Sequence, residues 1–358
     1  MRPGSQRTQS RIVALGLAIV LAAAYALFAS AEPVQALRAT FLGPFSSAYA
    51  LLAMLESTAP LLVCALGACI AFRAGAFNLG GEGQASVGTL ASALAISVLE
   101  RAEGLPPGLV IAMALLAAAL AGAALAMLSS LAERYTGAEV MLTSFLLAQA
   151  ALIAVDWAIG GPLRDAGSNL LGMPIVPDRL RFPKLAPPSP LSAAFPISVA
   201  LALGTIFLTK GTRAGVELRL LGKNPEFARA VGLSPRLGVW AMAGSGALAA
   251  IGGSFLVLGQ AGRAVRGMTG GIGWSGLAVA LIAGSDGVGA MPVALFFAWL
   301  DSGARQAAVL ADLSPDSSSI LKAAALFLIT AKVTGSCPFK AASERKGGAQ
   351  VDSAPRPR

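Results

Sequence analysis

The sequence predicts an all-α fold: a polytopic membrane protein of about ten transmembrane helices, in two pseudo-repeated halves with Gly-rich broken or re-entrant segments. Three observations carry the fold class. Of the 358 residues, 56% are hydrophobic and only 13% are charged, a balance outside that of soluble domains. The apolar residues form uncharged windows at 12–31, 57–72, 83–99, 104–132, 185–209, 237–262 and 267–285, several of them near the 20 or so residues that a spanning helix needs. None shows the roughly ten-residue alternation of barrel strands, so the backbone must close its hydrogen bonds within helices.

The first span, 12–30, follows Arg2, Arg7 and Arg11 and runs into Ala29-Ser30-Ala31. It reads as an uncleaved helix or as a signal peptide, and its length favours the helix. Further spans are expected at 46–72, 80–99, 105–131, 138–159, 193–209, 236–259, 270–284, 288–304 and 318–336. Asp301 and Lys322 interrupt the last two. The chain thus divides into 1–45, a cytoplasmic tip with the first helix and an external loop; 46–336, the transmembrane domain; and 337–358, a disordered cytoplasmic tail. With the N-terminus inside, most of the 27 Lys and Arg residues fall in cytoplasmic segments, so the positive-inside rule puts both termini in the cytoplasm.

Composition also excludes chemistry. The net charge of +9 does not indicate nucleic acid, because the basic residues are scattered between apolar runs without interleaved aromatics. Histidine is absent, which removes the commonest general base, proton relay and metal ligand. Cys64, Cys69 and Cys337 lack metal-ligand spacing, and the first two sit in an apolar run as small hydrophobes. No metal site and no cofactor is expected. A phosphate-binding G-x-x-x-x-G-K-[ST] loop is missing, so any ATP must be bound by a partner subunit.

Two connections stand out by length. Segment 160–192 is proline-rich, lies outside the membrane and is expected to be an ordered surface loop, either a plain connector or a contact for an external partner. Segment 210–236 reads as two short helices joined by a Gly-Lys-Asn-Pro turn. Asn224 suits an N-cap, Pro225 the first helical position, Glu226 the positive helix end, and Gly232 the close. Phe227, Ala230 and Val231 would share a face ringed by Arg219, Lys223 and Arg229. Such a face docks on a cytoplasmic protein or lies on anionic headgroups.

Two glycine-rich polar breaks follow helices 46–72 and 236–259. The first is 73–84 and the second is "GQAGRAVRGMTGGIGWSG" at 259–276. Paired interruptions at corresponding places in two halves point to a transporter's substrate path. In the first, Glu82 facing lipid would cost about 2.5 kcal/mol or more, so it must face protein or a water-filled cavity. Asn78, Glu82 and Gln84 read either as a wall of a pathway or as a turn in which Asn78 caps the next helix and Glu82 binds its first amides. Trp274 offers a stacking face or an interfacial anchor, with Ser275 beside it. Glu56 and Asp156 sit near helix ends, within reach of the headgroups.

The stretches "AFRAGAFNLGGEGQ" (71–84), "EVMLTSFLLAQ" with "GGPLRDAG" (139–167), "LRLLGKNPEFARAVGLSP" (218–235) and "GGIGWSGLAVALIAG" (270–284), in this order, resemble the permease subunits of bacterial ABC importers. The branch is the one handling nucleosides and simple sugars, related to ribose and branched-chain amino-acid permeases. The resemblance runs from about residue 46 to 335. It implies a multi-pass protein of the bacterial inner membrane that pairs with a second permease subunit, a cytoplasmic ATPase dimer and an external substrate-binding lipoprotein. It implies that 73–84 and 270–276 wall the path, which makes Phe77, Asn78, Glu82, Gln84, Trp274 and Ser275 candidate pathway residues. It also implies that Arg219, Gly222, Asn224, Pro225, Ala230 and Gly232 belong to the segment coupled to the ATPase. Ser275, where relatives often carry an acidic residue, and "GSDGVGAMP" (284–292), where an Asn-Pro turn is more usual, leave the substrate open. An ion-coupled secondary transporter and a polytopic membrane enzyme are the alternatives; the enzyme would want converging acid and base groups, and this chain offers scattered carboxylates.

Overall fold

The computed structural model describes residues 32–101, 104–234 and 236–312, with a few isolated positions on either side. The expected spans 12–30 and 318–336 and the tail 337–358 lie wholly or mostly outside the described residues. Eleven α-helices follow in order: α1 Pro33–Phe41, α2 Ala48–Arg73, α3 Gly81–Leu99, α4 Pro107–Thr136, α5 Val140–Gly160, α6 Ala194–Gly211, α7 Arg213–Lys223, α8 Pro225–Ala230, α9 Arg236–Phe255, α10 Ile272–Ala283 and α11 Gly287–Leu310. Among the described residues, extended pairing is limited to two isolated bridges, Gly172 with Val265 and Lys184 with Ser192. Among the described residues, six helices are long and apolar enough to cross a membrane: α2, α4, α5, α6, α9 with its continuation to Ala261, and α11.

The helices fall where the apolar windows put them, with three differences. Helix α1 occupies part of the expected external loop, opened by Pro33 at a position where the missing N–H is harmless. It packs on α11, and the Trp299 indole donates to the Phe41 carbonyl at 3.1 Å. Helix α11 continues straight through Asp301 to Leu310. Helix α10 has only 12 residues, about 18 Å, too short to cross a hydrocarbon core of about 30 Å by itself.

Helices α2 and α9 form the centre and are buried along most of their length. Helix α9 packs on α2, α3 and α4, while α2 also meets α6, α10 and α11. Helices α4, α5 and α6 are largely exposed around them, as membrane-facing or partner-facing helices are. Between apolar helices in lipid, attraction comes from close packing, and small residues set the distance here. A Cβ on Gly253 would fall on the Ala85 carbonyl, and one on Gly246 on the Gly122 carbonyl.

The loop 161–193 is ordered because it completes the end of α9. That helix loosens into a π-turn over Leu256–Ala261 and stops at Gly262, whose φ is 67°. The freed carbonyls are taken up by the loop: Phe182 N–H donates to Leu258 O (3.0 Å), the Lys184 ammonium to Gly259 O (2.9 Å), Val176 N–H to Gly262 O (2.8 Å) and Met173 N–H to Ala264 O (2.9 Å). Glu56, assigned from sequence to the headgroup region, is instead 2% exposed. Its carboxylate accepts from the Ser192 N–H at 2.8 Å and the Ser192 hydroxyl at 2.7 Å, so the loop plugs the one charge on the outer half of α2.

Gly253→Ala is expected to destabilise the detergent-solubilised protein by about 1–3 kcal/mol, because the new methyl must displace backbone. Gly244, with nothing within 4 Å, is the control: Gly244→Ala should be neutral or stabilise by about 0.5–1 kcal/mol. Thermal midpoints measured side by side would be equal if α3 and α9 did not approach this closely.

Candidate functional site

The two glycine-rich breaks meet. Helix α2 ends at Arg73, and Gly75, with φ of 80°, turns the chain. Residues 76–80 then run unwound to the start of α3. Asn78 holds this stretch in place. Its Nδ2 donates to Gln84 Oε1 and to the Ser245 hydroxyl of α9, both at 2.9 Å, while its Oδ1 accepts from Gly80 N–H (2.9 Å) and Gln84 Nε2 (3.0 Å). Leu79 N–H donates to the Ser144 hydroxyl of α5 at 3.1 Å. The break is thus tied to two other helices by groups that are all buried, which satisfies polar atoms that water does not reach.

Glu82 joins the second break. Its carboxylate accepts from Gly271 N–H at 2.9 Å and Gly273 N–H at 2.7 Å, at the positive end of α10. The sequence offered Glu82 as a cap for its own helix; the structure makes it the cap of α10 instead. Charge-assisted bonds to a helix N-terminus suit a carboxylate in a site of low dielectric. Glycine at 273 is required sterically, since a Cβ there would collide with the Glu82 amide nitrogen.

The six candidate pathway residues therefore separate into two groups. Asn78, Glu82 and Gln84 are buried. The space beside Asn78 and Gln84, lined also by Cys64, Ser245 and Gly273, measures about 10 Å³, at the lower limit for one water. Within one subunit they form a closed seam. Phe77 and Trp274 lie at the surface, 46% and 38% exposed. Phe77 packs on Phe72 with ring centroids 4.6 Å apart, and Trp274 on Phe145 of α5 at 6.0 Å. Ser275 is half-buried, its N–H bonded to Gly271 O at 2.9 Å.

Between α9 and α10 the chain runs unwound over 262–271, with positive φ at Gly262, Gly267, Gly270 and Gly271. It descends beside α5, from Asp156, whose Oδ1 accepts the Gly267 N–H at 3.0 Å, to the Trp274–Phe145 contact. Arg266, Gly267 and Gly270 are exposed on that face. Its start pairs with the loop 161–193, Met173 N–H donating to Ala264 O and Arg266 N–H to Leu171 O, both at 2.9 Å, so this unwound backbone is held by protein on one side.

Segment 210–236 takes the expected form of two short helices. Asn224 Oδ1 accepts the Phe227 N–H at 3.0 Å, Pro225 opens α8, and Gly232 follows it at φ 81°. Phe227, Ala230 and Val231 are exposed, as are Arg219, Lys223 and Arg229, whereas Ala228 is buried. Gly222 plays a part the sequence did not reveal. A Cβ there would strike the Arg73 carbonyl and lie 2.7 Å from Gly75 N, so α7 sits backbone to backbone on the first break. Leu218 reinforces the seat against Ile70, Ala74 and Ala241. Sequence reasoning also missed Ser144, Ser245 and Phe145, single residues in apolar runs whose proximity to the breaks only the packing creates.

A family model described as the branched-chain amino acid transport system / permease component matches residues 50–330. Among curated proteins, the chain is 33% identical over 351 residues to a probable riboflavin import permease protein of Treponema pallidum, covering 97% of this chain and 90% of that one. It is 28% identical to a glucose ABC transporter permease protein of Haloferax volcanii, covering 88% and 85%. A nucleoside ABC transporter permease protein of Lactococcus lactis is 27% identical, covering 89% and 87%.

The Glu82 junction makes a direct prediction. Glu82→Ala leaves two buried N–H groups unpaired, and with hydrogen bonds to a charged group contributing about 1.5–3 kcal/mol each, it should lower stability by about 3 kcal/mol or more. Glu82→Gln, which keeps one acceptor, should fall in between. Thermal unfolding of the purified variants checks this; an unchanged midpoint for Glu82→Ala would mean the carboxylate does not hold α10.

Proposed function

The chain belongs to the branched-chain amino acid transport system permease component family, matched over residues 50–330, and from that premise we propose that it forms one half of the membrane channel of an ATP-driven importer. Its cargo on this reading is a nucleoside-like molecule or a simple sugar, handed over by an external binding protein. The observation that carries the reading is the meeting of the two glycine-rich breaks at Glu82, at the end of the unwound, exposed face of 262–271 beside α5. A second permease subunit across that face would enclose a path with Phe77, Trp274 and Ser275 on its wall. Asn78, Glu82 and Gln84 would hold the gate from behind, touching helices rather than cargo.

The similarity to proteins described as carrying riboflavin, glucose and nucleosides supports a polar, ring-containing cargo. On the same reading the full chain has ten spans in two related halves, with both termini in the cytoplasm, residues 1–45 as an entry segment and 337–358 as a tail. Arg219, Gly222, Asn224, Pro225, Ala230 and Gly232 would serve the ATPase dimer. Exposed Phe227, Ala230 and Val231 supply its docking face, and Gly222 carries the movement to the first break. ATP binding would draw the ATPase subunits together, and α7 and α8, riding on them, would switch the permease pair between outward-open and inward-open states.

Gly222→Ala should cut ATP-driven uptake about 10-fold or more while membrane abundance stays at the wild-type level, because the added methyl lifts α7 off Gly75. Asn224→Ala removes a helix cap worth about 1 kcal/mol and should lower uptake less. Uptake of radiolabelled nucleosides and sugars by the complete importer measures both. Full transport in Gly222→Ala would remove the segment from the coupling route, and uptake driven by an ion gradient with no ATPase present would favour the secondary transporter.

A further inference from the structure

The outer end of α5 and the unwound segment beside it enclose a cleft of about 360 Å³, lined by Ile153, Asp156, Trp157, Gly160, Gly161 and Arg266. Its size is that of a small-ligand site. Trp157 is 69% exposed, and among the described residues its indole N–H has no hydrogen-bond partner. The Arg266 side chain lies over Gly160, with its Cδ 3.6 Å from where a Cβ would stand. Its Nε is 3.9 Å from Asp156 Oδ2, beyond hydrogen-bonding distance, while the other Asp156 oxygen is occupied by the Gly267 N–H. The cleft therefore presents a bare aromatic face, one carboxylate oxygen with open acceptor capacity and a guanidinium fork with open donors.

A tryptophan at the outer edge of a helix is also what a lipid anchor looks like. Two facts separate this one from an anchor. Its neighbours are an arginine and an aspartate 3.9 Å apart whose remaining polar atoms stand at the cleft, and the exposed, unwound backbone at Arg266 lies beside it. The set of groups matches a planar heterocycle: stacking on the indole, a ring N–H donating to Asp156, and a ring carbonyl accepting from the flat guanidinium of Arg266. A simple sugar has hydroxyls but no flat π-face to fill the Trp157 side. We infer that this cleft is the outer reception site of the translocation path and that it selects the heterocyclic ring of a nucleoside-like or flavin-like cargo. The inference rests on the importer reading above and narrows its cargo to one class.

The test uses the complete importer, this chain together with its ATPase and binding-protein partners, in cells supplied with radiolabelled guanosine, riboflavin or glucose. Wild type is expected to take up guanosine or riboflavin. Trp157→Ala should lower the rate at saturating external substrate about 10-fold, the order of an aromatic–base stack. Trp157→Phe should retain at least about a third of the rate, and Arg266→Lys should fall between. A wild-type rate in Trp157→Ala, or a wild-type importer that carries glucose alone, overturns the inference and leaves the importer reading standing. A wild type that carries none of the three overturns both.

An independent measurement covers the case in which Trp157→Ala does not reach the membrane. Ile153→Cys, in a Cys337→Ser background, places a thiol in the cleft, since Cys64 and Cys69 are buried. A membrane-impermeant thiol reagent should modify it, and millimolar guanosine or riboflavin, but not glucose, should slow the modification several-fold. Modification indifferent to all three, or slowed equally by glucose, overturns the inference.

Discussion

The hydrogen bonds from Gly271 and Gly273 to the Glu82 carboxylate are the interaction on which the centre of this protein depends. A bilayer supplies no water to satisfy main-chain groups, yet two stretches of unwound chain, 74–80 and 262–271, lie among its spanning helices. Each alone would be costly: the first leads into a helix whose opening turn carries the buried Glu82 carboxylate, the second into a helix start with free amides. Brought together, the carboxylate and the amides satisfy one another, and the breaks become a tolerable part of the bundle. The glycines permit the approach, because a side chain at 273 would meet the Glu82 backbone before the carboxylate reached its partners.

The same requirement shapes the outer side. Helix α9 releases carbonyls as it widens into its π-turn, and the loop 161–193 supplies N–H groups and the Lys184 ammonium to meet them. Ser192 reaches back to Glu56 on α2. The long proline-rich connection is therefore a structural lid on the central helices. By holding α9 and the start of 262–271 from above while Glu82 holds the other end from below, it fixes the unwound segment along α5.

At the opposite end of the helices from that loop, Gly222 and Gly75 place α7 in backbone contact with the first break. Side chains absorb small displacements by changing rotamer, whereas backbone packed on backbone passes them on, as close-packed interiors do. The break they touch is tied through Asn78 to Ser245 of α9 and through Leu79 to Ser144 of α5. The contact thus lies between the exposed face of α7 and α8 and the helices around the seam.

Much of this was legible in the chain. Uncharged windows of spanning length marked the helices, because a bilayer rewards continuous apolarity whatever surrounds it. Asn224, Pro225 and Gly232 announced α8 through local backbone chemistry alone, and glycine clusters marked both breaks. Helix α1 and the uninterrupted run of α11 past Asp301 were not legible, since both depend on what packs beside them. The Glu82 junction was half visible: the carboxylate had to face protein, but its partners lie about 190 residues away in sequence.

Local composition therefore determined the helical class, the apolar helices among the described residues, the two breaks and the Asn224 cap, each governed by interactions within a few residues of chain. Only the tertiary structure decided that Asn78, Glu82 and Gln84 are buried while Phe77 and Trp274 remain at the surface. It alone set Gly222 against Gly75 and brought Asp156, Trp157 and Arg266 to one cleft. The physical reason is that hydrogen-bond partners and close contacts between distant segments are chosen by how the helices pack, and no local rule encodes that choice.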